Sequence, residues 1–414
     1  MRGAAWALIG LGAAIGVVVG VTTPWRVLAA GAPAVAVDPA RDFTAAQIAR
    51  AAEFDSALSL PSYLSLALTL VFAGLLIVTP FGARVLSAAR GPWWLRVVCG
   101  VVALTAVVEV LRWPLGMWYE TYVRAYGLST QTWSSWSADR LLNLGVRTLL
   151  VAFMVVAVVG LARRFPRWWI PAAAGAFVLT VAASFVYPVA VEPLFNDFRP
   201  MPAGQLRTDL LAMAARDGVP VEDVLVADAS RRTTALNAYV SGFGATRRIV
   251  VYDTLLGAPE NEVQTIVAHE LGHAKNDDVL HGTLEGGLAA AFGACLLFLV
   301  TSPGSVRRRA GIASLADPRA AGLLMGLLSV ASVLSGPAQN VVSRHIEARA
   351  DVHALDLTRD PGRFVAIQKR LAVANISDLS PDPVEYVLYA SHPAGPERIA
   401  TARSWALLNG MPEP

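Results

Sequence analysis

The chain has 414 residues, of which 55% are hydrophobic and only 16% charged, with a mean hydropathy of +0.50, whereas a soluble domain carries about 25% charged residues. That balance excludes an ordinary soluble protein and points to the bilayer as a partner. A net charge of +3 without a long basic run gives no footing for nucleic acid, and the two cysteines, Cys99 and Cys295, both in apolar runs, exclude a disulfide framework or a cysteine metal site.

A spanning helix needs ~20 mostly apolar residues. Uncharged runs at 3–25, 56–83, 168–191, 286–306 and 320–343 meet that length. Two further runs complete a set of seven: 93–117, which contains Arg96, Glu109 and Arg112, and 141–162, which contains Arg147. The first run also reads as a secretory signal peptide with a small-residue cleavage site. It exceeds an h-region of roughly 7–15 residues, so a retained helix is expected. For Glu109, Arg112 and Arg147 two readings stand side by side. They face a protein interior or a wet cavity, where charge is tolerated, or the third and fourth spans end earlier and leave them at the interface. Residues 31–55 read as a polar, mostly helical connector.

Two stretches are not membrane, 192–278 and 344–414, together enough for one compact domain. The first reads as a helix over 203–217 and strands near 223–227, 236–243 and 248–255. "NAYVSGFGATRRIVVYD" reads as a hairpin around a glycine-containing turn. Pro259 and Glu260 then open a helix, since proline and acids suit a first turn. That helix is expected to run on toward the sixth span. The second stretch reads as helices over 344–358, 361–374 and 395–408.

The helix opened at Pro259 carries "TIVAHELGHAKNDD", with His269, Glu270 and His273 in the pattern His-Glu-x-x-His. Residues i and i+4 are neighbours on a helix surface, so the two imidazoles can grip one zinc ion. Glu270 then points at the water such an ion would activate, as a general base. A catalytic zinc takes three protein ligands and keeps one position open. His281 lies ~12 Å further along a continuous helix. The extended motif with a third histidine fails because Asn276 and Val279 occupy the required places. "SRHIEARAD", 343–351, offers a better ligand, Glu347, with Asp351 one turn later on the same face. Asp351 can accept a hydrogen bond from a ligand imidazole and fix its tautomer; His345 faces roughly the opposite way. The competing reading of this stretch is a solvated charged helix face. Two spans separate His273 from Glu347, and an even number of crossings returns the chain to the same side. The expected organisation is five membrane spans with connectors over 1–191, the first part of a zinc metallopeptidase domain over 192–278, the sixth and seventh spans over 279–343, and the second part of that domain over 344–414.

These residues resemble the integral-membrane zinc metallopeptidases of the type I CaaX prenyl endopeptidase family. "HELGHAK" and "SRHIEARAD" resemble its two zinc motifs, and "NAYVSGFGATRRIVVYDTLL" its Asn-Ala-Tyr segment. "VEPLFNDFRPMP", "SHPAGPERI" and "WYETYVRAYGLSTQTWSSWSADRL" are similar to three further stretches, in the same order. The resemblance implies an α-helical multi-pass protein with seven transmembrane helices around an intramembrane chamber and a small α+β zinc metallopeptidase domain. It implies one zinc ion on His269, His273 and Glu347, with Glu270 as the base. By the same matching His392 would stabilise the oxyanion, Asn237 would lie on an edge strand that receives the peptide, and Arg398 would brace the site. The chain departs from some relatives at Asp277-Asp278, where they have Gly-His. An arginine-rich, lysine-poor composition beside much Ala, Val and Gly reads as a GC-rich, bacterial genome, which puts prenylated substrates in doubt.

The loops 84–96, 163–167 and 303–319 hold ten arginines against one acid, Asp317, and Arg2 falls on the same side. The positive-inside rule puts that side in the cytoplasm and the zinc domain, after five crossings, outside. The family resemblance implies the cytosolic face instead. The charge rule uses this chain's own residues and is preferred here. The expected activity is a membrane-embedded zinc endopeptidase acting on peptides or membrane-associated proteins. The alternatives are a metallopeptidase sensor that relays a signal, which would need an appended ligand-binding domain, and a seven-helix transporter or receptor with a structural zinc. A closed structural site would have no use for Glu270.

Overall fold

A computed structural model describes residues 1–414, apart from the side chain of Ala245. Seven helices are long and apolar enough to cross a membrane. They are α1 (Arg2–Thr22), α2 (Ala45–Val78), α3 (Trp93–Ala125), α4 (Trp133–Arg164) and α5 (Trp169–Val186), and, after α6 (Gln205–Asp217) and α7 (Glu260–Lys275), α8 (Asp278–Thr301) and α9 (Ala321–Thr358). Three smaller helices follow: α10 (Pro361–Ala374), α11 (Pro383–Tyr389) and α12 (Gly395–Leu408).

Hydropathy marks the apolar middle of each span, whereas caps mark its ends. The span expected at 56–83 begins at Ala45, because Thr44 and Gln47 form a reciprocal capping box there. Much of the expected connector is therefore helix. The span expected at 141–162 begins at Trp133, where the Thr132 hydroxyl accepts from the Ser135 amide at 3.2 Å. One expectation about the last spans needs correction. The helix of the His-Glu-x-x-His motif does not run on into the sixth span. It stops at Lys275, the Asn276 side chain bonds back to the Gly272 carbonyl at 2.7 Å, and Asp277 turns the chain at φ 51°. The seventh span and the helix expected at 344–358 join in one rod of 38 residues, α9, with Pro337 inside it.

In the bundle α2 packs on α3, α3 on α4, α4 on α5, α5 on α8, and α9 returns to α2, while α1 lies against α8. Between α2, α3, α4 and α9 is a cavity of about 960 Å³, with Tyr389 of α11 at its edge. Arg112, Arg140 and Arg147 line it. Glu109 is buried beside them, 2.5 Å from Arg140 and 3.4 Å from Arg147, and Arg112 donates to the Ser65 hydroxyl at 2.9 Å. Of the two readings of these charges, the interior one holds: each faces a partner or the cavity instead of lipid.

The extramembrane sheet has the order β1-β2-β4-β3, with β1 Phe198–Pro200, β2 Asp223–Ala227, β3 Ala238–Ser241 and β4 Arg248–Tyr252. β2 and β4 are parallel, and β3 and β4 are the antiparallel hairpin expected from their sequence. Gly242 at φ 93° makes the turn; a Cβ there would lie 2.4 Å from the Thr246 carbonyl oxygen, so no other residue fits. β1 is too short for periodicity to reveal, and it ends in a proline, which belongs on an edge. One apolar core, including Val224, Ile249, Val267, Leu271, Leu355, Ile367 and Trp405, joins the sheet to α7, α9, α10 and α12. A second, including Leu86, Val97, Leu104, Val159 and Leu324, lies within the helical bundle. α9 is shared by both.

Candidate metal site

α7 forms where its ends and faces agree. Glu260 and Glu262 occupy its first turn and His273 and Lys275 its last, matching the helix dipole. Val263, Val267 and Leu271 are fully buried, and the helix packs against β3, α9 and α10. Glu262 pairs with Arg370 of α10 at 2.5 Å. Gly272, inside the motif, lets α7 approach α9: a Cβ there would lie 3.0 Å from the His353 Cβ and 3.2 Å from the Ala350 Cα. This close crossing puts the histidines of α7 opposite the carboxylates of α9.

One ligand atom from each of His269, His273 and Glu347 lies within 4.8 Å of the other two. His269 Nε2 is 3.2 Å from Glu347 Oε2 and from His273 Nε2, and His273 Nε2 is 3.5 Å from Glu347 Oε1. On the far side of its ring, His269 Nδ1 is 2.9 Å from Asp351 Oδ1. Asp351 is almost fully buried and is held by Arg398 through two bonds of 2.8 and 2.5 Å. His273 Nδ1 is 2.9 Å from Asp278 Oδ2. Burial works against a charge on His269, but the hydrogen bonds to Asp351 and Glu347 outweigh it and lift its pKa to about 10. An acceptor-rich cluster of this kind calls for a cation. Burial also pushes the Glu270 carboxyl above its usual range, while His269 and His273 pull the other way.

His392 Nε2 reaches to 3.4 Å from Glu347 Oε1, and its Nδ1 lies 3.0 Å from the Ser391 hydroxyl. Arg344, one turn before Glu347, donates to the carbonyls of Tyr386 and Ala390 at 2.9 and 2.6 Å, and so ties the loop of His392 to α9. Asn237 precedes edge strand β3; its side-chain oxygen accepts from the Ala238 amide at 2.9 Å, and among the described residues no polar contact joins it to the cluster. Asn375 braces the same segment, accepting from the Leu236 amide at 2.9 Å. His345 faces away, bonded to the Val341 carbonyl and packed at a tilt against Trp25, and among the described residues His281 is not part of the cluster. Asp278, Arg344 and Asn375 escape a reading of the sequence. An acid beyond a helix break, an arginine on a charged face and an asparagine at a helix end carry no local signal for what they touch.

Residues 200–406 match the model of peptidase family M48, and residues 41–197 match that of the CAAX prenyl protease N-terminal region with five membrane helices. The metalloprotease YhfN of Bacillus subtilis is 30% identical over 88% of this chain and 87% of its own length. A CAAX prenyl protease 1 homolog of Arabidopsis thaliana is 30% identical over 74% of this chain and 72% of its own. The crystal structure of Ste24p from S. mikatae shares the fold, with a TM-score of 0.77 at 20% identity over 96% of this chain and 98% of that one. On these matches, together with the seven apolar helices, the chain belongs to peptidase family M48, as a multi-pass membrane metalloprotease of the CAAX prenyl protease type.

Proposed function

We propose that the protein is a zinc endopeptidase, with His269, His273 and Glu347 as ligands of one ion and Glu270 as general base. The observation that carries this reading is the convergence of those three side chains within 4.8 Å, with Glu270 next in sequence to one of them. Two imidazoles and a carboxylate suit zinc and leave a position open for chemistry. Zinc held there supplies Lewis acidity and a water that is reactive near neutral pH. Glu270 would carry the proton, accepting it from the attacking water and giving it to the leaving amine. Asp351, held by Arg398, accepts from His269 Nδ1 and keeps its Nε2 turned to the cluster. A Ser391 hydroxyl that donates to His392 Nδ1 puts the proton on Nε2, at the Glu347 side of the ring, where it can hydrogen-bond the developing oxyanion.

The substrate segment is read as an added strand on β3. The alternation of an antiparallel pair, set by the Tyr252 amide donating to the Asn237 carbonyl at 3.0 Å, turns the amide and carbonyl of Val240 outward. Asn237 stands at the start of that edge. The substrates are peptides or membrane-associated proteins that reach the site from the bilayer. The names of the relatives include CAAX prenyl protease 1; a prenyl group on this chain's substrates is a narrower possibility than peptide cleavage itself. Purified protein is expected to cleave a quenched fluorescent peptide, to lose that activity to a chelator and to regain it with zinc. A peptide left intact by the zinc-reconstituted protein, across a panel of lengths and with and without a prenyl group, would count against the reading.

The active face is assigned from charge. Arg163 donates to the Ala316 carbonyl at 2.9 Å, which joins two arginine-rich loops at one end of the bundle. Thr22, at the opposite end of α1 from Arg2, meets Arg349 beside the cluster. With the arginine-rich end in the cytoplasm, the metal site faces outward. A reporter enzyme fused after Pro414 is expected to be active only if it is of an extracytoplasmic type; activity of a cytoplasmic reporter there would reverse the assignment.

A further inference from the structure

The two histidines of the cluster are supported in parallel ways, one by an aspartate on α9 and the other by an aspartate beyond the end of α7. His269 turns Nε2 to the cluster and Nδ1 to Asp351, which Arg398 holds. His273 likewise turns Nε2 inward, and its Nδ1 meets Asp278, the first residue of α8. Asp278 is in turn ion-paired through Oδ1 with Arg349 of α9. Asp278 lies beyond the break at Asn276 and Asp277, so the continuity of α7 does not place it. It is placed by the left-handed turn at Asp277, itself paired with Arg247 at 2.7 Å, and by Arg349. Arg349 also donates to the carbonyl of Thr22, the last residue of α1, at 3.3 Å. Carbonyls of a last helical turn have no partner within the helix and carry partial negative charge, which suits a guanidinium. The Thr22 hydroxyl reaches Glu285 of α8 at 3.0 Å, and the Trp25 ring packs at a tilt against that of His345 of α9, with ring centroids 5.0 Å apart. The end of α1 is thus docked on α8, which begins with Asp278, and on α9, which carries Arg349.

We propose that Asp278 and Arg349 are positioning residues that fix the ring of His273 for the metal, with the C-terminal end of α1 as their anchor. This rests on the reading that His269 and His273 are zinc ligands. It gives the site two arms of the same composition, imidazole, aspartate and arginine. One arm is closed within α9 and α12. The other draws on α1, which lies before the residues that the family models match. The first span is therefore part of the metal site's support as well as of the membrane bundle, and its end must stay seated for His273 to keep its orientation.

The test is the zinc affinity of the purified full-length protein, measured by competition with a chromophoric chelator. An outer partner of a metal-bound histidine is worth about 10–100-fold in metal affinity. Asp278→Asn is expected to lose affinity in that range, with Asp278→Glu restoring most of it. Arg349→Gln is expected to lose affinity by a smaller factor, and the double variant to bind no more weakly than Asp278→Asn alone, because the two residues act as one arm. The absorption bands of the cobalt-substituted protein should shift in Asp278→Asn, which a purely structural role would not produce. Zinc affinity within twofold of the parent in a folded Asp278→Asn would overturn the proposal, and an unchanged Arg349→Gln would overturn the anchoring by α1. His269→Ala is measured in parallel. If it too keeps full affinity, the ligand assignment has failed, which is a different result from failure of the second arm.

Discussion

Glu270→Gln is expected to keep a full equivalent of zinc and to cleave peptide about 10²–10⁴-fold more slowly than the parent. Glutamine has the shape of glutamate and cannot take a proton, so the substitution removes the base and leaves the packing. The carboxyl is close enough to His269, His273, Glu347 and Arg398 for all four to bear on its proton affinity. It therefore belongs to the cluster without being one of the three groups that converge on a common point. Metal analysis and steady-state cleavage of a fluorescent peptide on the same preparation separate the two properties. A zinc-loaded Glu270→Gln whose kcat/KM stays within tenfold of the parent would mean that another group accepts the proton.

Glu347→Ala should act at the earlier step and lose the metal, with cleavage falling to background. Its carboxylate faces His269, His273 and His392 together, at 3.2, 3.5 and 3.4 Å. Without it, two imidazoles remain for zinc, and affinity falls well beyond the ~10–100-fold that an outer partner is worth. Zinc content after dialysis, with circular dichroism to confirm the helices, reads this directly. Stoichiometric zinc in a folded Glu347→Ala would transfer the third position to another group, and His392 would be the nearest.

Several features were legible in the sequence because they are local or periodic. The seven apolar runs each contain a helix, since ~20 apolar residues have few other fates. The pair His269 and His273 follows from the geometry of one helical turn. Glu347 stands out in "SRHIEARAD" by sharing a helix face with Asp351, and an even number of crossings allows it to return to the side of His273. What was missed depends on tertiary contact. Nothing in "HAKNDDVLH" lacks helix-forming capacity strongly enough to announce the break at Asn276 and Asp277; no proline or glycine stands there. The break became visible only with Asn276 bonded back to Gly272 and Asp277 held by Arg247. The charged residues of the third and fourth spans left two readings open, because their partners lie on neighbouring helices: Glu109 of α3 meets Arg140 and Arg147 of α4. Likewise, β1 depends on β2 for its existence, since three residues form a strand only beside a partner.

The continuity of α9 sets a mechanical tolerance. Leu324 is anchored in the core of the bundle and Leu355 in that of the extramembrane domain, with Glu347 between them on the same rod. From Leu324 to Glu347 the rise is about 35 Å at ~1.5 Å per residue. Over that arm a tilt of roughly 3° moves the carboxylate by about 2 Å, the length of a zinc–oxygen bond. A lever of this ratio turns small shifts of the chamber wall into displacements as large as the coordination sphere itself. The crossing at Gly272, the clamp of Arg344 on the His392 loop and the pair Arg398–Asp351 all grip the rod within two turns of Glu347. They act as a bearing at the working end, and hold Glu347 in place where the arm would move it most.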